Sequence, residues 1–270
     1  MCAGHHQIFQ QSRATLAQEF VNNIVFFNDP DTLLVGPYRP LEEARVTTAV
    51  VALPGQMMFA GDKLAELTPE RMRLLQQSLP VADVHPMELY PVFEDTPVWD
   101  LKVRRPFKAW DVVALFNWTD EAAEIGFDFA ELGLDGDRSY AIYEFWTDEF
   151  QDVFETGFSM EVPPHAVRLL AVHEDRPFPQ VLSSDRHVTQ GAVDLLGEAW
   201  DEAAKTLTAR VKLVGGHPTT LTVLLPEGMA LDTVSADGAE AAATECPSGV
   251  AKVTLSAAAS GEAVMELKVK

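Results

Sequence analysis

Cysteine is nearly missing from this sequence. Cys2 and Cys246 stand near opposite ends, in no metal-ligand spacing. They could form one disulfide at most, and two unpaired thiols are the expected state. No run of 18 or more apolar residues occurs, so no helix is expected to span a membrane. The opening Met-Cys-Ala-Gly-His-His has neither a basic start nor an apolar stretch. It is not a signal peptide, and a cytoplasmic setting is expected. Basic residues are scarce: 20 Lys and Arg face 41 Asp and Glu, a formal net charge of −21. The deficit lies mostly after residue 80, where 33 acidic residues oppose 14 basic ones. Such a surface repels phosphate backbones and anionic lipid, which argues against nucleic-acid and membrane partners. No glycine-rich phosphate loop, zinc spacing or calcium loop is present, so no cofactor or metal is expected.

What is present is enough apolar material for a core: 47% of 270 residues, sufficient for one large domain or two to three small ones. The pattern changes near residue 80. Before it, helix and strand signals alternate. Residues 8–22 carry Phe9, Leu16 and Phe20 at helical spacing, and Asn23–Phe27 reads as a short apolar strand ending in the turn cluster Asn28-Asp29-Pro30-Asp31. Residues 41–53 read as a helix stopped by Pro54-Gly55, and Gln56–Ala60 as a second strand. Thr68-Pro69-Glu70 is a helix start with Thr68 as cap, followed by a Met72, Leu75, Leu79 stripe. Short apolar strands between amphipathic helices imply parallel pairing. Two strands cannot close a barrel, so further residues or a partner chain are expected to complete this segment.

After residue 80 short strands recur with turns between them, the mark of antiparallel sandwiches. The fold expected is mixed α/β and all-β: an incomplete (β/α)8 barrel remnant over 1–82, an antiparallel β-sandwich over 83–178 and a second small β-sandwich over 179–270.

Asn28-Asp29-Pro30-Asp31 carries the chemistry. Carboxylates at the C-terminal end of a barrel strand can take charge-assisted hydrogen bonds from sugar hydroxyls. An Asx turn, with Asp29 or Asp31 bonded to local backbone, explains the same four residues. The longer stretch decides the expectation. Phe27-Asn-Asp-Pro-Asp-Thr-Leu-Leu-Val-Gly36 resembles the seventh-strand segment of α-galactosidases, the melibiase group. Leu41–Val46, Val51–Asp62 and Leu67–Arg71 resemble the seventh helix, eighth strand and eighth-helix start. Val112–Trp118 and Tyr143–Trp146 resemble strands of the sandwich that follows that barrel. The resemblance covers about residues 20–175. It implies retaining hydrolysis of α-galactosides or related α-linked sugars, by a nucleophile and an acid/base carboxyl about 5–5.5 Å apart. In that family both acids precede this segment. Only Glu19, inside an expected helix, is acidic among the first 27 residues, so no catalytic residue is assigned here. The resemblance makes Asp31 a sugar contact, with Asp29 and Thr32 beside it; Thr32 stands where the family often has Met. The chain alone is expected to be inactive. A non-catalytic carbohydrate-binding or structural sandwich is the alternative.

The remaining motifs read as structure. His5-His6 lacks a third metal ligand. Asp185-Arg186-His187 reads as a surface turn, and His165, His173 and His217 as surface or sandwich-edge residues. Trp99, Trp110, Trp118, Trp146 and Trp200 invite sugar stacking, but tryptophans in alternating strands are expected in the core. Asn117-Trp118-Thr119 matches a glycosylation acceptor by chance, and Met57-Met58 should pack in the eighth strand.

Overall fold

The computed structural model describes residues 5–85, 87–92 and 97–270, with side chains in the first helix from Gln7 onward. Cys2 and the side chains of His5 and His6 lie outside the described residues; Cys246 is a free thiol. The elements are α1 (His5–Gln18), β1 (Thr32–Leu33), α2 (Leu41–Ala52), β2 (Phe59–Ala60), α3 (Pro69–Gln77), β3 (Leu89–Pro91), β4 (Val98–Arg105) and β5 (Lys108–Phe116). There follow β6 (Ala123–Asp128), β7 (Tyr140–Glu144), β8 (Glu149–Phe154), β9 (Gly157–Val162), β10 (Val167–Glu174), β11 (Gln180–Ser184) and β12 (Leu195–Asp201). The last are β13 (Thr206–Leu213), β14 (Thr219–Leu224), β15 (Leu231–Asp237), β16 (Glu240–Glu245), β17 (Val250–Ser256) and β18 (Gly261–Val269). The chain is mostly strand, in several sheets, with few helices and no closed barrel among the described residues. No described helix is long and apolar enough to cross a membrane.

The chain divides into two compact units. The first holds residues 1–103, 111–139 and 154–170. Its helices form as the sequence predicts. Thr68 caps α3 by accepting the Arg71 N–H, and Pro69 occupies the first turn, where its missing donor costs nothing. The buried face of α3 is carried by Leu74 and Leu75, whereas Leu79 is past the helix and exposed, so the expected Met72–Leu75–Leu79 stripe is displaced. Glu42 and Glu43 open α2 and meet Arg168 at 2.9 Å and His165 at 3.6 Å. Trp99 and Phe116 are fully buried with centroids 4.8 Å apart; Phe116 in turn stacks on Trp118, which meets Phe9 of α1. Asn117 is 1% exposed and gives both amide hydrogens to the carbonyls of Glu121 and Val162, so its nitrogen is no glycosylation acceptor.

The second unit holds residues 104–110, 140–153 and 171–270. Its four-stranded sheets run β11-β14-β17-β16 and β12-β13-β18-β15, all antiparallel. Period-two alternation builds the core between them: Leu207, Ala209, Val211 and Leu213 of β13 are buried, as are Ala263, Met265, Leu267 and Val269 of β18. Two sequence expectations fail here. His173 is buried, stacked on Trp110 at 5.7 Å, with Nε2 at 2.7 Å from the Leu182 carbonyl. Burial above all, with Lys108 nearby, holds its pKa well below the usual value. His187 is not on a surface turn either. It is fully buried, its Nδ1 accepting from Thr189 N, and Gln190 and Gly191 just after it take positive φ.

A six-stranded sheet of order β3-β4-β5-β10-β7-β8 and a β6-β9 ladder complete the topology.

Candidate functional site

The site lies in the first unit, between the end of α1 and the end of β2. After α1 the chain makes a short helical turn at Glu19–Val21. Asn23 then takes φ 60°, and its N–H bonds the Phe26 carbonyl. The expected strand over Asn23–Phe27 is therefore a turn, and Ile24, Val25 and Phe27 are about 70% exposed. An apolar β-run needs a partner to form a ladder, and the parallel ladder forms later, with Thr32 opposite Phe59 and Leu33 opposite Ala60. Asp29 and Asp31 thus precede the strand and do not follow it. The second expected strand shortens likewise to Phe59–Ala60, leaving Met57 exposed outside it.

Local hydrogen bonds hold the acidic turn. Asp29 Oδ1 accepts from Asp31 N at 2.9 Å, an Asx turn that lets Asp31 sit at φ 65°. Asp31 Oδ1 accepts from Thr32 N at 2.8 Å and from Thr32 Oγ at 3.0 Å. Both carboxylates are exposed, and each spends one oxygen on the turn. The structure therefore brings Asp29, Asp31 and Thr32 together. A Cβ at Gly61 would lie 2.1 Å from Thr32 Cγ2, so a larger residue there would have to displace the Thr32 side chain.

Two further carboxylates belong to this place and were missed by the sequence reading. Asp62, just past β2, accepts from Val35 N at 2.6 Å and from the Tyr38 hydroxyl at 2.5 Å, so it clips together the chain ends beyond both strands. Arg71 of α3, buried, donates to the Val35 and Arg39 carbonyls and fixes the same loop from behind. The residues Ala60-Gly61-Asp62 carry a sequence signal for this, a carboxylate directly after an apolar strand. Glu19 is 2% exposed; Asn22 donates to its Oε1 at 3.4 Å while Asn22 Oδ1 accepts from Asn28 N at 2.9 Å. Burial raises the Glu19 pKa to about 7, opposed by hydrogen bonding to Asn22 and Gln56.

That shift has a testable sign. The folded carboxyl keeps its proton between the unfolded value near 4.5 and about 7, where the unfolded chain has lost it. Stability must fall as pH rises through that window. The melting temperature of the wild type should drop between pH 5 and pH 8 relative to that of Glu19→Gln; parallel profiles for the two proteins would contradict the assignment.

Residues 108–172, from the start of β5 into β10, match the alpha galactosidase C-terminal beta sandwich domain. The chain thus carries a segment similar to that domain. Among solved structures it is similar to a GH27 β-L-arabinopyranosidase from Geobacillus stearothermophilus, with 14% identity and a TM-score of 0.54 over 63% of this chain and 42% of that one. It is also similar to α-galactosidase I from Mortierella vinacea, with 19% identity and a TM-score of 0.52 over 64% of this chain and 46% of that one. The chain thus spans less than half the length of these two proteins, and at such identity the likeness concerns the fold. Comparison with curated protein sequences gives no match.

Proposed function

We propose that this chain is part of a retaining glycoside hydrolase acting on α-galactosides or related α-linked sugars. In this reading Asp31 contacts the sugar, Asp29 and Thr32 support it, and the nucleophile and acid/base carboxyls reside on other β/α units. The observation that carries the reading is order along the chain. Two parallel β/α units bearing the Asn-Asp-Pro-Asp turn stand directly before an α-galactosidase-type C-terminal sandwich domain. Barrel strands are covered on both faces, yet Phe59 of β2 is 54% exposed and Ile24, Val25 and Phe27 still more so. The buried side chain of Asn28 finds no hydrogen-bond partner among the described residues. Both features support further β/α units packed against this segment, supplied by an upstream half or by a partner chain.

The test is hydrolytic. The purified chain, incubated with a chromogenic α-galactoside, should release nothing above background, and its native assembly should release chromophore. Turnover by the chain alone would overturn the placement of the catalytic acids elsewhere.

A further inference from the structure

The connection from β11 to β12 joins the edge strands of the two four-stranded sheets of the second unit, and what it buries is polar. Ser183, Ser184, His187, Thr189, Gln190 and Asp194 are each at most 2% exposed. Hydrogen bonds hold the segment. Ser183 Oγ donates to Gln190 Oε1 at 3.0 Å, which secures Gln190 at φ 51°. Asp185 ties the start of the connection to β14: its N–H donates to the Thr220 carbonyl, and its Oδ1 accepts the Thr220 N–H at 2.8 Å. Arg105 of β4 donates to the Ala192 carbonyl.

Asp194 closes the segment. Ser184 Oγ lies 2.5 Å from Asp194 Oδ2, and Oδ1 has no hydrogen-bond partner among the described residues. Two charged groups act on this carboxyl, Asp185 and Arg186, both on the connection itself and opposite in effect. His187, on the same segment, turns its Nδ1 to Thr189. From β11 comes the Ser184 hydroxyl, and from β13 the backbone N–H of Lys212, an exposed residue, which donates to the Asp194 carbonyl. A fully buried carboxylate with one hydrogen bond and no ion pair is costly, so the group keeps its proton. Burial raises its pKa to about 6, opposed first by the Ser184 bond.

We infer that the 185–194 connection is a pH-sensitive latch, closed while Asp194 holds its proton and loosened when that proton is lost. Opening lets water reach the carboxylate, so ionisation favours the open form. The open carboxyl titrates near 3.8 and the closed one near 6, so the latch is tightest below this window and weakens as pH rises through it. The apolar core between the sheets, with Leu207, Val211, Met265 and Leu267, has nothing to titrate and stays packed.

The test is amide hydrogen exchange of the full chain by NMR from pH 4 to pH 7, expressed as protection relative to the free-peptide rate at each pH. The reporters are the Asp185 N–H, bonded to the Thr220 carbonyl, and the Leu195 N–H, bonded to the Gly191 carbonyl. Their protection should fall about fiftyfold over that range, the linkage expected of a carboxyl with these two titration points. Amides in the ladder of Thr208–Arg210 with Val264–Glu266 should keep theirs. Asp194→Asn, which cannot ionise, should flatten the profile, and Ser184→Ala, which removes the bond that favours the anion, should move it to higher pH. Glu19→Gln, in the first unit, should leave it unchanged. Flat reporter protection in the wild type would overturn the inference, whether or not a variant folds. So would an equal loss in the β13–β18 ladder, a wild-type profile in Asp194→Asn, or a profile abolished by Glu19→Gln.

Discussion

Lys102→Ala should destabilise the first unit by about 3–5 kcal/mol, a large share of the ~5–15 kcal/mol that holds a typical domain together. Lys102 Nζ stands 2.5 Å from Asp100 and 2.7 Å from Asp111, and it also donates to the Leu132 carbonyl. The carboxylates' side chains are 2% and 1% exposed, against 18% for the lysine. Removing the ammonium leaves two like charges facing each other out of water, which costs far more than the pair contributes over an apolar replacement. The same reasoning gives a control. Changing Lys102 to Met together with Asp100→Asn and Asp111→Asn removes every charge, and this triple variant should recover most of the loss. Chemical denaturation of the three proteins checks both statements. A Lys102→Ala midpoint equal to the wild type would show that the triad is hydrated and unimportant.

In the native assembly, Asp31→Asn should lower kcat/KM on an α-galactoside about a hundredfold, the loss of a charge-assisted hydrogen bond worth ~2–3 kcal/mol. The substitution preserves shape and keeps an acceptor for the Thr32 N–H and hydroxyl that Asp31 now binds. A fall in activity would therefore report charge at the sugar and not a collapsed turn. Asp29→Asn, whose carboxylate accepts the Asp31 N–H, should cost less, because its role is to set the turn. Equal losses for the two would remove the distinction between contact and support. Unchanged turnover in Asp31→Asn would remove Asp31 from the site.

Much of the fold was legible wherever local chemistry and burial agree. Thr68-Pro69-Glu70 announces α3, and the alternation Leu207, Ala209, Val211, Leu213 announces β13 and its buried face. Edge strands were illegible. Glu240-Ala-Ala-Ala-Thr-Glu245 has the composition of a helix, yet it pairs with β17 from Glu240 opposite Ser256 to Glu245 opposite Ala251; pairing outweighs propensity. The reverse error arose at Asn23–Phe27, where strand propensity had no ladder to join. Within the candidate site, Asp29, Asp31 and Thr32 were singled out by the resemblance of their stretch, and the structure holds the three together in one turn. Glu19 was set aside as a helix residue, since its closeness to Gln56 appears only when the chain folds back. His173 and His187 were misplaced for the same reason. The Trp110 ring and Leu182 carbonyl that meet His173 come from other segments of the second unit, and no periodicity announces the burial of either histidine.

Where the sugar lies decides whether Asp31 belongs to the site. The most direct measurement is a crystal structure of the native assembly with galactose bound. It should show a sugar hydroxyl within about 2.6–3.2 Å of an Asp31 carboxylate oxygen, and the anomeric carbon between two carboxyls contributed by units other than those described here. Galactose bound with no contact to Asp31, or β1 and β2 forming a closed sheet of their own with no further strands beside them, would contradict it.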